Sequence, residues 1–338
     1  MRAVKFTGAG GPEVIEIVEV DRPEPAAGEV LIKVAAAGLN RADALQRRGH
    51  YPPQPGMSDI PGLEVSGTVV AYGPTPEKGA GRFASKQAQL PLGAEVCALL
   101  SGGGYADYVA VPAGQVLEVP EPVSLRAAAS LPEVAATVYT NLFFDQRVRP
   151  GDRVLIHGGS GGIGSMAIQL LAALQCTVIV TVSSAEKAMY ALNLGATHVI
   201  NYQRQDFAEQ VKIMTDGAGV DFILDVVGAK YLQRNVDSLA PFGTMVTIGL
   251  QSGARAELDM GSLLRKKLTL RGSTLRDRSL KQKRKIMSQV GANVWPLISE
   301  GYVNTYIDRT FDLEDAQAAH EYFDSGQHRG KVLLTMDH

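Results

Sequence analysis

Up to about residue 125 the chain alternates short apolar runs with breaks that carry Gly and Pro. RAVKF, EVIEIVEV, EVLIKVAAAGLN, LEVSGTVVAYG, AEVCALL and YADYVAVP each have the length and β-branched content of a strand. This pattern predicts a mixed or antiparallel β domain. Between Pro74 and Pro91 the run TPEKGAGRFASKQAQL is polar and glycine-bearing, which predicts an exposed loop. Beyond about Leu125 the period lengthens. SLRAAASLPEVAATVYTNLFF has helical spacing, interrupted at Pro132, and VLIHG, VIVTV, HVINY, VDFILDVVG, TMVTIGL and LTLRGS then alternate with helix-length segments. Six apolar strands in βαβ order predict a doubly wound parallel sheet of the dinucleotide-binding kind.

The last stretch differs again from the βαβ region. QKRKIMSQVGANVWPLISEG predicts a helix, DLEDAQAAHEYF a second one after an Asp-x-x-Asp cap, and KVLLTM a final strand. The α/β fold is therefore expected to place the parallel sheet, residues 127–275, as an insertion between two parts of one β domain, residues 1–126 and 276–338. With 338 residues, 45% of them hydrophobic, the chain can bury two cores.

A net charge of −2 provides no global field to attract nucleic acid or an anionic membrane. The cluster RDRSLKQKRK, Arg276 to Lys285, reads as a solvated helix face. Cys97 and Cys176 stand alone, so neither a disulfide framework nor a cysteine zinc site is expected. MRAVKFTGAGGPEVIEI lacks the apolar core of a signal peptide, and no run approaches the ~20 apolar residues of a membrane span. These features lead us to expect a soluble, cytoplasmic protein without nucleic-acid or membrane partners.

The strongest local signal is Val154-Leu-Ile-His-Gly-Gly-Ser-Gly-Gly-Ile-Gly164, a strand that ends in glycines and opens a helix. Gly159, Gly161 and Gly164 satisfy G-x-G-x-x-G, with Gly162 and Ile163 in the same turn. A dinucleotide pyrophosphate needs such a surface: no side chains in the way, close helix packing and free N–H groups at a positive helix end. The same glycines can also serve as a structural turn. At the end of the next strand, Val178-Ile-Val-Thr-Val-Ser-Ser-Ala-Glu-Lys187, no carboxylate stands where an NAD site usually has one. Ser183, Ser184 and Lys187 suit a 2′-phosphate, which favours NADPH, with Glu186 in the capping-box position for Ser183. The alternative is an ordinary N-cap followed by a surface lysine. Tyr202 can add a hydroxyl or a stacking face. Small residues recur at later strand ends, in Val227-Gly228, Ile248-Gly249-Leu250 and Gly272-Ser273, as a cofactor crossing those ends requires.

Several dispersed motifs share one order: MRAVKFTGAGGPEVIEIVEV, Leu39-Asn-Arg-Ala-Asp43, Arg48-Gly-His-Tyr-Pro-Pro53, Pro61-Gly-Leu-Glu-Val-Ser-Gly67, Gly102-Gly-Gly-Tyr-Ala-Asp-Tyr108, Leu131-Pro-Glu133, Val154 to Gly164, Asp225-Val-Val-Gly228 and Gly330-Lys331. Over nearly its whole length the chain resembles the zinc-free medium-chain dehydrogenase/reductases of the zeta-crystallin-like quinone oxidoreductase type, closest to the p53-inducible quinone oxidoreductase branch. The resemblance implies a Rossmann domain inserted into a GroES-like β domain and an NADPH-to-quinone reductase that forms homodimers or homotetramers. It implies cofactor contacts at Asn40, Thr137, Gly161, Gly162, Ser183, Lys187, Tyr202, Gly249 and Ser273. The terminal-motif Lys331 joins this set, and Tyr51 matches a tyrosine proposed near the quinone. Ser160 precedes Gly161, so the serine of the relatives' glycine loop is shifted here and its hydroxyl is given no part.

Zinc-dependent relatives carry a cysteine at the position of Gly38 and Gly-His-Glu where this chain reads Gly62-Leu63-Glu64. Without those ligands no metal is expected, and Glu64 reads as structural. The expected chemistry is hydride delivery from nicotinamide to a flat electrophile in an interdomain cleft. In that picture Asn40 positions the nicotinamide ribose, while Tyr51 either hydrogen-bonds the developing quinolate or merely packs its loop. Two alternatives stand beside quinone reduction: an NADPH-dependent enone or enal reductase, and a cofactor-binding protein with a structural or regulatory role.

Overall fold

The computed structural model describes residues 1–53, 55–74, 90–145 and 148–336. Of the glycine-bearing loop expected between Pro74 and Pro91, residues 75–89 lie outside the described residues. The chain forms two compact units, Met1–Ala136 with Leu275–His338, and Thr137–Thr274. The second unit is thus an insertion in the first, as the break in βαβ order near the C-terminus predicts.

In the first unit β1 (Arg2–Phe6) and β2 (Ile15–Glu19) form an antiparallel pair. The chain continues through β3 (Glu29–Gly38), β4 (Glu64–Tyr72), β5 (Glu95–Leu99), β6 (Tyr108–Pro112) and β7 (Val116–Glu118). The second unit holds β8 (Arg153–His157), β9 (Thr177–Val182), β10 (His198–Asn201), β11 (Val220–Asp225), β12 (Leu239–Thr247) and β13 (Thr269–Gly272). Finally β14 (Ile307–Asp312) and β15 (Lys331–Thr335) rejoin the first unit.

The first unit's main sheet has the order β14-β15-β3-β4-β5-β7, with β6 pairing β3. It is mixed, since β14 and β15 are parallel while β15 meets β3 antiparallel. Alternating residues of β3, Val30, Ile32 and Val34, enter a core shared with Val65, Val96, Val111, Leu313, Phe323 and Leu334. The C-terminal segment therefore completes the N-terminal core.

The second sheet has the order β10-β9-β8-β11-β12-β13 and is parallel throughout. Val154, Leu155 and Ile156 are each fully buried, as a strand covered on both faces must be, which is why VLIHG reads as an unbroken apolar run. LTLRG forms β13, the sixth parallel strand, and it lies at the edge beyond TMVTIGL. By compactness the first unit runs on to Ala136. Helix Leu125–Ala128 packs on β3, β4 and β5, which keeps residues 127–136 with the first unit.

Candidate functional site

The carboxyl ends of the parallel strands bring the expected cofactor residues into one row. Helix Gly162–Ala173 follows β8 directly; its N-cap is Gly161, and no side chain caps it, leaving the first N–H groups for a ligand. A Cβ on Gly164 would stand 2.3 Å from Gly158 O, so only glycine lets the helix start this close to the strand. The left-handed turn falls on Gly158 (φ 78°), a residue outside the fingerprint spacing. Ile163 is half-buried in the helix's first turn.

Neighbouring strand ends are tied by backbone bonds. Gly159 N–H donates to Thr181 O (3.0 Å), and Tyr202 N–H to Val182 O (3.1 Å), which sets Tyr202 beside Ser183. Ile248 N–H donates to Asp225 O (2.8 Å) and Ser273 N–H to Thr247 O (3.1 Å). Asp225 accepts from the N–H groups of Val227 and Gly228 and from Thr247 Oγ1, which folds the loop after β11. Gly228 sits at φ 83° in that loop. Gly249 and Leu250 continue the row, with Leu250 exposed. At Gly272 a Cβ would meet nothing within 4 Å, so the recurrence of small residues is not a spatial requirement there. Thr137 is buried in helix Pro132–Tyr139.

At the end of β9 the cap differs by one residue from the expected one. Ser184, not Ser183, is the N-cap of helix Ala185–Asn193, and its hydroxyl accepts from Lys187 N–H (3.2 Å). Glu186 is therefore not the capping-box partner of Ser183. The shift releases Ser183, half-buried at the strand end, from a capping role, with Lys187 in the first helical turn.

The first unit holds a second constellation. Asn40 precedes helix Arg41–Arg47, and its N–H donates to Asp43 Oδ2 (2.8 Å). Its amide nitrogen donates to Gly38 O (3.2 Å) and Glu64 Oε1 (2.9 Å), and its oxygen accepts from Lys331 Nζ (2.8 Å). Lys331 Nζ also donates to Leu39 O and lies 2.6 Å from Glu64 Oε1. Both polar ends of the Asn40 side chain are thus held by protein. Lys331, 5% exposed, orients Asn40 and neutralises Glu64, whose other oxygen accepts from Glu133 N–H (2.8 Å). Asp43 is buried and accepts from Gly62 N–H and Tyr105 Oη as well; burial pushes its carboxyl up to about 6.

Tyr51 is half-buried. Its carbonyl accepts from Arg276, whose guanidinium carbon stands 5.2 Å from the Tyr51 ring centre. Arg276 also donates to Ser101 O and Gln46 Oε1, while Lys283 Nζ donates to Ser101 Oγ and to Arg276 O (2.6 Å). Arg276 and Lys283 are 4% and 1% exposed, so the solvated face expected for RDRSLKQKRK is corrected at these two positions, while Lys281 and Lys285 are exposed. Desolvation lowers Lys283 to about 8. The cluster of Glu64, Asp43, Glu133, Arg276 and Lys283 is not legible as a site in the sequence, because its members are far apart along the chain. Asp43, Glu64 and Glu133 each fall in one of the quoted motifs, but nothing local joins those motifs to each other or to Arg276 and Lys283.

The donor set does not fit a zinc ion. Gly38 offers no ligand, and a Cβ there would lie 2.3 Å from Glu64 Oε1, where a cysteine would have to stand. Glu64 is already paired with an ammonium.

A parallel sheet with a glycine-opened helix, inserted into a mixed-sheet domain, defines a medium-chain dehydrogenase/reductase. Residues 26–121 match the family "Alcohol dehydrogenase GroES-like domain", and residues 162–292 match "Zinc-binding dehydrogenase". The chain is 32% identical to Quinone oxidoreductase 1 of Escherichia coli (strain K12), covering 98% of each protein. It is also 32% identical to a 2-haloacrylate reductase of Burkholderia sp, over 96% of each. The crystal structure of Escherichia coli quinone oxidoreductase complexed with NADPH superposes with a TM-score of 0.87 at 30% identity, covering 99% of this chain and 100% of that one. The chain belongs to the quinone oxidoreductase family of the medium-chain dehydrogenase/reductases, and it is an oxidoreductase.

Proposed function

We propose that the protein reduces quinones with NADPH and without a metal. The observation that carries this reading is Lys331 held between Glu64 and Asn40, beside Gly38. Where zinc-dependent relatives are expected to hold a Lewis acid, this chain has an internally neutralised pair, so alcohol oxidation lacks its usual driver. A conjugated electrophile needs less help, because it spreads the incoming charge. Bound NADPH supplies hydride; the chain's own residues orient, desolvate and protonate.

The glycine loop from Gly159 to Gly164 would hold the pyrophosphate. Ser183, Ser184, Lys187 and Tyr202 would hold the adenosine phosphate, and Val227, Gly228, Ile248, Gly249, Leu250, Gly272 and Ser273 would line the path along the strand ends, with Ile163 and Thr137 beside it. Asn40, fixed by Lys331, would meet the nicotinamide ribose, and Tyr51 would hydrogen-bond the substrate oxygen. A second reading, reduction of activated alkenes such as enones, is favoured by the likeness to a 2-haloacrylate reductase. β13 is the edge strand of the parallel sheet among the described residues, and Met260 and Leu264 of the preceding helix are exposed, which supports a homodimer or homotetramer.

Stopped-flow oxidation of NADPH and NADH against quinones, enones and aldehydes tests the proposal. NADPH turnover with quinones, undiminished by chelator, is the expected result; alcohol oxidation that depends on added zinc would overturn it.

A further inference from the structure

Glu133 has no part in the function proposed so far, yet its surroundings are unusual. It lies in the first turn of helix Pro132–Tyr139, and its N–H is anchored on Glu64 Oε2. The residue is half-buried, and its carboxyl has no hydrogen-bond partner among the described residues. Charged groups of four elements act electrostatically on its carboxyl: Glu64 of β4, Lys331 of β15, Asp43 of helix Arg41–Arg47, and Lys283 of helix Leu280–Asn293. Tyr51 feels its charge as well, and the Tyr51 hydroxyl is likewise without a partner among the described residues.

We propose that Glu133 is the proton donor of the reaction, a catalytic acid that shares the substrate with Tyr51. This rests on the reading of the protein as a quinone or enone reductase. As the substrate accepts hydride, with its two electrons, from the reduced cofactor, it becomes an anion. The Glu133 O–H bond then breaks and an O–H bond forms on a quinone oxygen, or a C–H bond on the α-carbon of an enone. The carboxylate recovers its proton from water.

The neighbours are excluded one by one. Asp43 is 1% exposed, with its oxygens taken by three donors. Lys283 is 1% exposed and bonded to Ser101 and Arg276. Tyr51 is pushed above its ordinary range by burial and by Asp277, so it holds its proton tightly and suits hydrogen-bond donation. Burial, followed by the charge of Glu64, pushes Glu133 up to about 8, so it is protonated at neutral pH and exchanges readily there.

The test is the pH profile of kcat/KM for menadione and methyl vinyl ketone, measured on wild type, Glu133→Gln and Glu133→Asp, with NADPH binding followed separately by fluorescence. Wild type is expected to lose activity above about pH 8. Glu133→Gln should bind NADPH normally, lose on the order of 10²-fold in kcat with methyl vinyl ketone, and lack that alkaline limb. Glu133→Asp should regain part of the rate together with a limb. An unchanged rate and limb in Glu133→Gln would overturn the assignment; if that variant does not fold, wild-type rate and limb in Glu133→Asp would do so. A wild type that reduces neither probe overturns the substrate reading, and the role of Glu133 with it.

Discussion

The Nζ of Lys331, at the start of the last strand, lies 2.6 Å from Oε1 of Glu64, at the start of β4. Neither side chain is more than 7% exposed, so each charge depends on the other for compensation. Their pairing fixes Asn40, which bonds to both.

Removing one partner should therefore cost more than removing both. Lys331→Met is expected to destabilise by about 3–5 kcal/mol, because it strands a buried carboxylate. Adding Glu64→Gln should restore a large part of that loss. Urea denaturation of the two variants measures both effects, and equal midpoints for Lys331→Met and wild type would contradict the pairing.

Zinc chemistry should be hard to install. Gly38→Cys with Leu63→His supplies the relatives' ligand types, but the new Cβ at position 38 meets the Glu64 carboxylate. We expect lowered thermal stability and zinc well below one equivalent by atomic emission. One tightly bound zinc per chain in this variant would refute the steric account.

Cofactor choice should respond to one charge. Ser183→Asp places a carboxylate at the end of β9, where the 2′-phosphate is proposed to lie. A lost charge-assisted bond of about 1.5–3 kcal/mol lowers kcat/KM for NADPH by roughly 10–100-fold. NADH should suffer less, so the ratio of the two rates is the decisive quantity.

Stability should depend on pH through Glu133. Its carboxyl, raised in the folded protein from 4.5 to about 8, keeps a proton that the unfolded chain has already released. That contribution is complete below the unfolded value and is lost as pH rises through about 8. Asp43 acts in the same sense between 3.8 and about 6. Glu133→Gln abolishes the first effect, so its Tm should gain on wild type as pH rises from about 5 to about 8.5, as scanning calorimetry would record.

The proposed cofactor row is largely legible in the sequence because its signals are local. Gly164 is read beside the strand it touches, and the missing carboxylate after β9 is visible within a few residues. Even there, the cap falls on Ser184 rather than Ser183, since two adjacent serines offer the same chemistry and only the backbone path chooses. The charged constellation is mostly illegible. Arg276 and Lys283 lie in a run that any local reading assigns to solvent, and Glu64 shows nothing in sequence of the lysine that neutralises it.

By itself, the sequence determined the two periodicities, the insertion of a parallel sheet into a mixed one, the glycine-opened helix and the presence of Gly38 and Leu63 rather than a cysteine and a histidine, because each depends on neighbouring residues or on residue type alone. Only the tertiary structure decided which charges are buried, which are paired, and that burial pushes the Glu133 carboxyl up. Desolvation and ion pairing depend on distances between chain segments, and those distances exist only once β15 lies against β3 and helix Leu280–Asn293 packs on the same unit.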